Sequence, residues 1–244
     1  MMTKELETLR TWIGEARRGV FFGGAGVSTE SGIPDFRSET GIYNKKYPYP
    51  AETMLSHSFY AHRTPEFFDF YRNVMLYPDA QPNAAHRCLA RLEREGKLAA
   101  VVTQNIDGLH QKAGSRTVYE LHGSVLRNFC TKCGAAYGLD FILGTQGVPK
   151  CEKCGGTVKP DVVLYEEGLD SDTVSGAVSA IRHADLLIVG GTSLAVYPAA
   201  GLIDYYRGKR LVLINLQATP YDDRADLVIH DKLGAVLTAV CGEA

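Results

Sequence analysis

Four cysteines, Cys130, Cys133, Cys151 and Cys154, stand in the pattern C-x2-C-x17-C-x2-C. Each pair turns two thiols toward one point, and this spacing suits a tetrahedral zinc ion. Gly134 follows the first pair, and Gly155 and Gly156 follow the second, supplying the tight backbone such a knuckle needs. Four sulfur ligands leave no open coordination position, so one structural Zn2+ is expected and the reacting groups lie elsewhere. The alternative is disulfide pairing. The charged amino terminus lacks a signal-peptide pattern, which points to a reducing, cytoplasmic setting and favours thiolates. Cys88 and Cys241 have no partner in the sequence pattern and read as small buried apolar residues rather than nucleophiles.

A second candidate is the stretch VFFGGAGVSTESGIPDFR, residues 20–37. Gly24, Ala25 and Gly26 after a short apolar strand would let the backbone approach a pyrophosphate, with Ser28, Thr29 and the start of a helix as donors. Two features of hydride-transferring dehydrogenases are missing. Thr29 stands where the third glycine belongs, and the region where an acidic residue should end a second strand reads NKKYPYPAET, a loop. A dinucleotide is expected, with its ribose held in some other way. In the following GIPDFR, Pro34 stiffens the turn, Asp35 can fix local backbone, Phe36 offers an apolar face and Arg37 can pair with phosphate. The alternative for Arg37 is a solvated surface charge.

Gln104, Asn105 and Asp107 lie just beyond the next strand, where open α/β sheets bind ligands. His122, in YELHGS, ends another strand. Of the seven histidines it is the one whose position suits a general base, the alternative being a structural histidine.

These residues need a scaffold. Apolar runs at 20–22, 98–102, 118–121, 186–190, 210–215 and 226–229 alternate with helical patterns at 83–95, 172–184, 197–207 and 232–241. An amphipathic helix at the amino terminus carries Leu6, Leu9, Ile13 and Ala16 on one face. Continuous apolar strands with intervening helices indicate an α/β fold, a doubly wound, Rossmann-like parallel sheet covered on both faces. Residues 38–81, rich in aromatics, Pro and His, and residues 124–158, with the cysteine pairs, break the alternation. They read as a helical cofactor-loop insertion and a zinc-ribbon lobe in a single domain spanning 1–244, whose Rossmann-like part is 1–37, 82–123 and 159–244. A hydrophobic content of 45% with 22% charged residues is that of a soluble globular chain, and a net charge of −2 gives no reason to expect direct nucleic-acid binding. The uncharged run 186–203 contains Gly, Pro, Ser and Thr and reads as strand, turn and helix, so no membrane contact is expected.

Taken in order, GAGVSTESGIPDFR, TQNID, LHG, the paired CxxC and GTSLAVYP resemble the sirtuins, Sir2-type NAD-dependent protein deacylases, here of bacterial kind. The resemblance runs from about Val20 to Leu237 and implies that NAD is a consumed co-substrate. In this family the acyl-lysine oxygen attacks the ribose carbon that carries nicotinamide, and an alkylimidate forms. A base then activates a ribose hydroxyl, and lysine and O-acyl-ADP-ribose are released. The resemblance makes His122 that base and counts Asn105 with it as catalytic. It places Gly24, Ala25, Gly26, Thr29, Phe36 and Arg37 in the cofactor loop, and Gln104 and Asn105 at the nicotinamide ribose. Ile106 and Asp107 fall at the carboxamide, Thr192, Ser193 and Asn215 at the adenosine phosphate and ribose, and Asp231 and Lys232 at the adenine.

Acyl-lysine proteins or peptides would add as a strand between Val163, Leu164, Tyr165 and Leu194, Ala195, Val196. The family's usual Phe-Gly-Glu reads Tyr165-Glu166-Glu167 here, and the extra carboxylate is expected to favour peptides flanked by Lys or Arg. Members that remove acidic acyl groups carry a Tyr and an Arg three residues apart. Here the pair is Tyr71 and Val74, so acetyl or a longer apolar acyl is expected over succinyl. The rival readings are mono-ADP-ribosyl transfer to protein, an NAD-sensing binding module and, lowest, a dehydrogenase.

Overall fold

The computed structural model describes residues 3–242, so the outermost two residues at each end of the expected span lie outside the described residues. The strands are β1 Gly19–Gly23, β2 Leu98–Thr103, β3 Val118–Glu120, β4 Gly123–Cys130, β5 Ala136–Tyr137, β6 Val158–Val162, β7 Leu186–Gly190, β8 Leu211–Ile214 and β9 Leu227–Ile229. Helices α1 Lys4–Glu15, α2 Ala51–Met54, α3 His57–His62, α4 Thr64–Phe70, α5 Ala84–Arg94, α6 Leu109–Lys112, α7 Leu139–Gly144, α8 Ser171–Arg182 and α9 Leu233–Cys241 complete the regular elements, with short 3₁₀ and π turns between them.

Six strands form a wholly parallel sheet in the order β3-β2-β1-β7-β8-β9. Alternation along each strand sorts its side chains onto two faces. Phe21, Val101, Ile188, Val212 and Ile214 pack with α1, α5 and α9, while Val20, Phe22, Val102, Leu187, Val189 and Leu213 pack with α8 and the turn at Ala199–Tyr205. Both faces are dry, so the strands read as continuous apolar runs. Each buried phenylalanine contributes about 1.5–3 kcal/mol.

The expected α-helix at 197–207 is instead a 3₁₀ stretch over Ala199–Tyr205. Gly201 lies within it, a weak interior residue for an α-helix.

The two stretches that interrupt the alternation do not stand apart. Phe59, Phe67, Phe68 and Tyr71 from the helical stretch share one apolar cluster with Val125, Ile142, Val158 and the ligand-type Cys130 and Cys151. Arg72 reinforces the join, lying over the Phe68 ring and donating to the Ile142 carbonyl at 2.9 Å. The antiparallel sheet β5-β4-β6 forms the floor of this small lobe.

Cys88 and Cys241, read as unpaired, form a disulfide between α5 and α9, with Cα atoms 6.3 Å apart. Helix packing brings together residues 153 positions apart in sequence, and no local motif marks such a pairing.

His86 and His110 also meet, ring centroids 4.8 Å apart and both essentially without solvent exposure. His86 Nδ1 accepts from the Asn83 N–H in the α5 capping box, while His86 Nε2 and both His110 nitrogens have no protein partner. Burial pushes His86 down to about 4 from an ordinary 6.5, and burial with the neighbouring His86 holds His110 well below its ordinary value. Below pH 6.5 the unfolded chain therefore binds more protons than the folded one, so stability is intact above that pH and declines as pH falls toward 4. We expect an unfolding free energy from urea titration that drops by about 2 kcal/mol through His86 between pH 7 and pH 5, with His110 adding to the loss in the same direction. In His110→Gln that loss will shrink; an identical slope in the variant would contradict the assignment.

Candidate active site

A cavity of about 1090 Å3 opens where the carboxyl ends of the parallel strands face the small lobe. Its wall takes Gly24–Gly26 after β1, Gln104–Asp107 after β2, His122 after β3, Gly191–Ser193 after β7 and Asn215–Thr219 after β8. Val125, Leu126, Val163 and Leu164 come from the opposite side. Thr29, Phe36, Arg37, Tyr165, Val196, Asp231 and Lys232 complete the set of expected residues that the fold gathers here. Leu194 and Ala195 do not join the wall: the Leu194 side chain packs into the core and Ala195 is exposed outside the lining.

The glycine loop leads into two 3₁₀ turns, Ala25–Val27 and Thr29–Ser31, rather than the expected helix. Gly32 ends the second turn in the left-handed region, φ 84°. Gly26 has a steric task of its own, since a Cβ there would stand 2.8 Å from Gly191 Cα and its N–H donates to the Gly191 carbonyl at 2.8 Å. Two loops at neighbouring strand ends thus meet backbone to backbone.

Ser28, expected as an anion donor, is buried and occupied. It accepts from Asn105 Nδ2 at 3.1 Å and donates to Asp107 Oδ2 at 2.6 Å, while the Leu109 N–H donates to Asp107 Oδ1 at 2.9 Å. Burial pushes the Asp107 carboxyl up, against the lowering effect of these two donors. Gln104 Nε2 donates to Thr192 Oγ1 at 3.1 Å, and Asn215 Oδ1 accepts from the Thr192 N–H at 2.9 Å. Asn215 Nδ2 remains a buried donor without a protein partner.

His122 Nδ1 lies 2.9 Å from the Gln104 carbonyl. A carbonyl only accepts, so Nδ1 carries the proton and Nε2 keeps its lone pair. Burial lowers the His122 pKa, against the raising effect of the Gln104 bond, and the ring is neutral at neutral pH. The His122 carbonyl accepts from the Val163 N–H at 3.0 Å, which ties the histidine to the segment expected to receive peptide.

The Tyr165-Glu166-Glu167 departure has a structural account. Glu166 holds the left-handed backbone, φ 76°, that glycine normally supplies. Its carboxylate accepts from the Ser58 N–H at 2.8 Å and from Ser58 Oγ at 2.6 Å, at the start of α3. Glu167 pairs with His57 and Lys159 at 2.9 and 3.2 Å. Both carboxylates are thus engaged within the chain, which removes the basis for the expected preference for basic flanks. Tyr71, the other expected specificity residue, is buried with its hydroxyl unpartnered and outside the cavity wall, whereas Val74 lines it.

In the small lobe the four Sγ atoms of Cys130, Cys133, Cys151 and Cys154 lie within 4.8 Å of one another. Cys130 and Cys154 are 3.4 Å apart, and Cys133 and Cys151 3.6 Å. A tetrahedron with metal–sulfur bonds of about 2.3 Å needs S–S edges near 3.8 Å, so the set fits zinc. The Lys132 N–H and the Tyr137 hydroxyl donate to Cys130 and Cys151 sulfurs, as thiolates require.

Sequence reasoning missed Tyr43, Leu126 and the segment Leu216–Thr219, all in the wall. The position of 216–219 beyond the end of β8 was the signal available for that segment, while Tyr43 and Leu126 carried none.

The Sir2 family model matches residues 24–198. An NAD-dependent protein deacetylase of Clostridium acetobutylicum is 58% identical over 243 residues, covering 98% of this chain and 99% of that protein. One of Cutibacterium acnes is 60% identical over 236 residues, 96% of each. Among solved structures, a Sir2 with a p53 peptide and NAD+ superposes with a TM-score of 0.85 at 39% identity, covering 98% of this chain and 97% of that one. Sir2Tm bound to a propionylated peptide gives 0.85 at 38% identity, with the same coverage. With the glycine loop and the TQNID and LHG strand ends in one cavity wall and the four cysteines in one cluster, and with these relatives, the chain belongs to the Sir2 family.

Proposed function

We infer that this chain is an NAD-dependent protein lysine deacetylase that consumes NAD and releases nicotinamide and O-acetyl-ADP-ribose. The observation that carries the reading is His122, a neutral imidazole whose tautomer is set by the Gln104 carbonyl, in the wall of a cavity shared with the glycine loop and the 163–165 segment. When bound, NAD supplies the ADP-ribose that takes the acyl group.

The chain's own residues do the rest. Asp107, oriented by Ser28 and Leu109, accepts the N–H of the carboxamide beside Ile106, and Asn105 is fixed for the nicotinamide ribose by the same serine. Thr192, Ser193 and the spare Asn215 Nδ2 donor serve the adenosine phosphate and ribose, with Asp231 and Lys232 at the adenine. Phe36 and Arg37 cover the cofactor, and His122 Nε2 takes the proton of a ribose hydroxyl. Mono-ADP-ribosyl transfer to protein needs no base at that hydroxyl. A peptide strand docks along Val163, Leu164 and Tyr165 on one side and Val196 on the other.

Zinc, where held, is structural: Cys130, Cys133, Cys151 and Cys154 fill its coordination. No helix among the described residues is long and apolar enough to cross a membrane. The reading places the chain in the cytoplasm.

Nicotinamide release from NAD, followed by chromatography with and without an acetyl-lysine peptide, tests the reading; release indifferent to peptide would count against it. Position 74 is Val, so a succinyl carboxylate finds no Arg at that place in the wall. Acetyl-lysine peptide is expected to exceed its succinyl counterpart in kcat/KM by at least about 100-fold, the cost of burying an unpaired carboxylate. Equal values would contradict this.

A further inference from the structure

Residues 35–44, which carry Phe36 and Arg37, close on themselves. The Ile42 and Tyr43 N–H groups donate to the Asp35 and Phe36 carbonyls at 2.8 and 2.9 Å, and Asp35 Oδ1 accepts from the Arg37 and Ser38 N–H groups. Asn44 Nδ2 donates to the Ser38 carbonyl at 2.6 Å. Phe36 packs on the Tyr43 ring at 5.4 Å, and the Arg37 guanidinium lies 5.4 Å from the same ring centroid. Tyr43 is therefore the side chain on which both cofactor-loop residues rest. Among the described residues, one hydrogen bond leaves this segment for another part of the chain, between the hydroxyls of Tyr43 and Tyr165.

Tyr165 is a fixed post. Its N–H donates to the Leu55 carbonyl at 3.0 Å, its own carbonyl accepts from the His57 N–H at 3.0 Å, and the next two residues are tied to Ser58, His57 and Lys159. Burial, then the Tyr165 bond, raise the Tyr43 pKa, so its hydroxyl stays protonated. The family's usual phenylalanine at position 165 has no hydroxyl to offer.

We propose that the Tyr43–Tyr165 hydroxyl pair is a latch that fastens the cofactor loop to the peptide-binding segment and preorganises Phe36 and Arg37 for NAD. Tyr165 is thus a positioning residue, acting on the cofactor through the loop, and peptide-side and cofactor-side binding are joined at one contact. The proposal rests on the deacetylase reading. Fastening the loop before the cofactor binds removes part of the ordering cost.

The test uses the full chain and the variants Tyr165→Phe, Tyr43→Phe and the double variant, all of which keep the rings. Calorimetric titration with ADP-ribose, which cannot react, is expected to give a Kd raised about 5-fold in either single variant, the loss of one hydrogen bond. The double variant will be no weaker than the singles. Amide hydrogen exchange at Ile42 and Tyr43 will speed up in each, with Tm nearly unchanged, and KM for NAD will rise more than kcat falls. Additive effects of the two singles, or unchanged affinity and exchange while the unaltered chain still deacetylates, overturn the latch and leave the deacetylase standing. An unaltered chain with no affinity for ADP-ribose and no deacetylation overturns both.

Discussion

Replacing His122 with alanine will lower formation of deacetylated peptide by about 10²–10⁴-fold, the range a positioned general base contributes, while exchange of labelled nicotinamide into NAD persists. The two readouts separate because of where the proton is needed. The Gln104 carbonyl fixes the proton on Nδ1, so Nε2 is the nitrogen that can take one, under the proposed function from a ribose hydroxyl. Departure of nicotinamide asks for no proton acceptor at that hydroxyl, and the proposed function assigns its leaving end to Asp107 and Asn105, which Ser28 holds independently of His122. Equal loss of both activities would assign His122 to cofactor cleavage instead, and retained deacetylation would remove it from the chemistry.

Stripping the metal will abolish activity although the metal takes no part in the reaction. Structural zinc contributes about 10–16 kcal/mol in small zinc peptides, as large as the whole stability of a typical domain, about 5–15 kcal/mol. Cys130 and Cys151 are also members of the apolar cluster that joins the aromatic helices to the zinc lobe, and Val162 and Leu164, which flank and belong to the 163–165 segment, are members too. Collapse of the cysteine site therefore removes one wall of the cavity. Chelation, or Cys133→Ser, is expected to lower kcat/KM at least about 100-fold with loss of near-ultraviolet circular dichroism, and added Zn2+ will restore the chelated wild type. Metal analysis should give one zinc per chain. Full activity in metal-free protein would contradict the structural assignment.

Much of this was legible from the chain. The strands fall where continuous apolar runs stand between helical patterns, because a sheet covered on both faces demands such runs. The paired cysteines and the strand-end polar residues were legible for a related reason: their geometry is set locally, by a knuckle or by the end of a strand. What escaped depends on distant segments meeting. Cys88 and Cys241 come together through the packing of α5 on α9, and Tyr43 meets Tyr165 in the cavity wall. Ser28 joins Asn105 and Asp107 from another strand end. Glu166 looked like a lost glycine because the Ser58 bonds that accompany its left-handed backbone lie more than 100 residues away. The helix expected after the glycine loop gives way to 3₁₀ turns, the second closed by a left-handed Gly32, which strand-to-helix pattern reading does not weigh.

The most direct test of the central claim follows the acetyl group by mass spectrometry in a reaction of acetyl-lysine peptide, NAD and enzyme. Deacetylated peptide, nicotinamide and O-acetyl-ADP-ribose should accumulate in equal amounts, with the acetyl group on the ribose. ADP-ribose attached to protein while the peptide keeps its acetyl group, or NADH in place of nicotinamide, would contradict it.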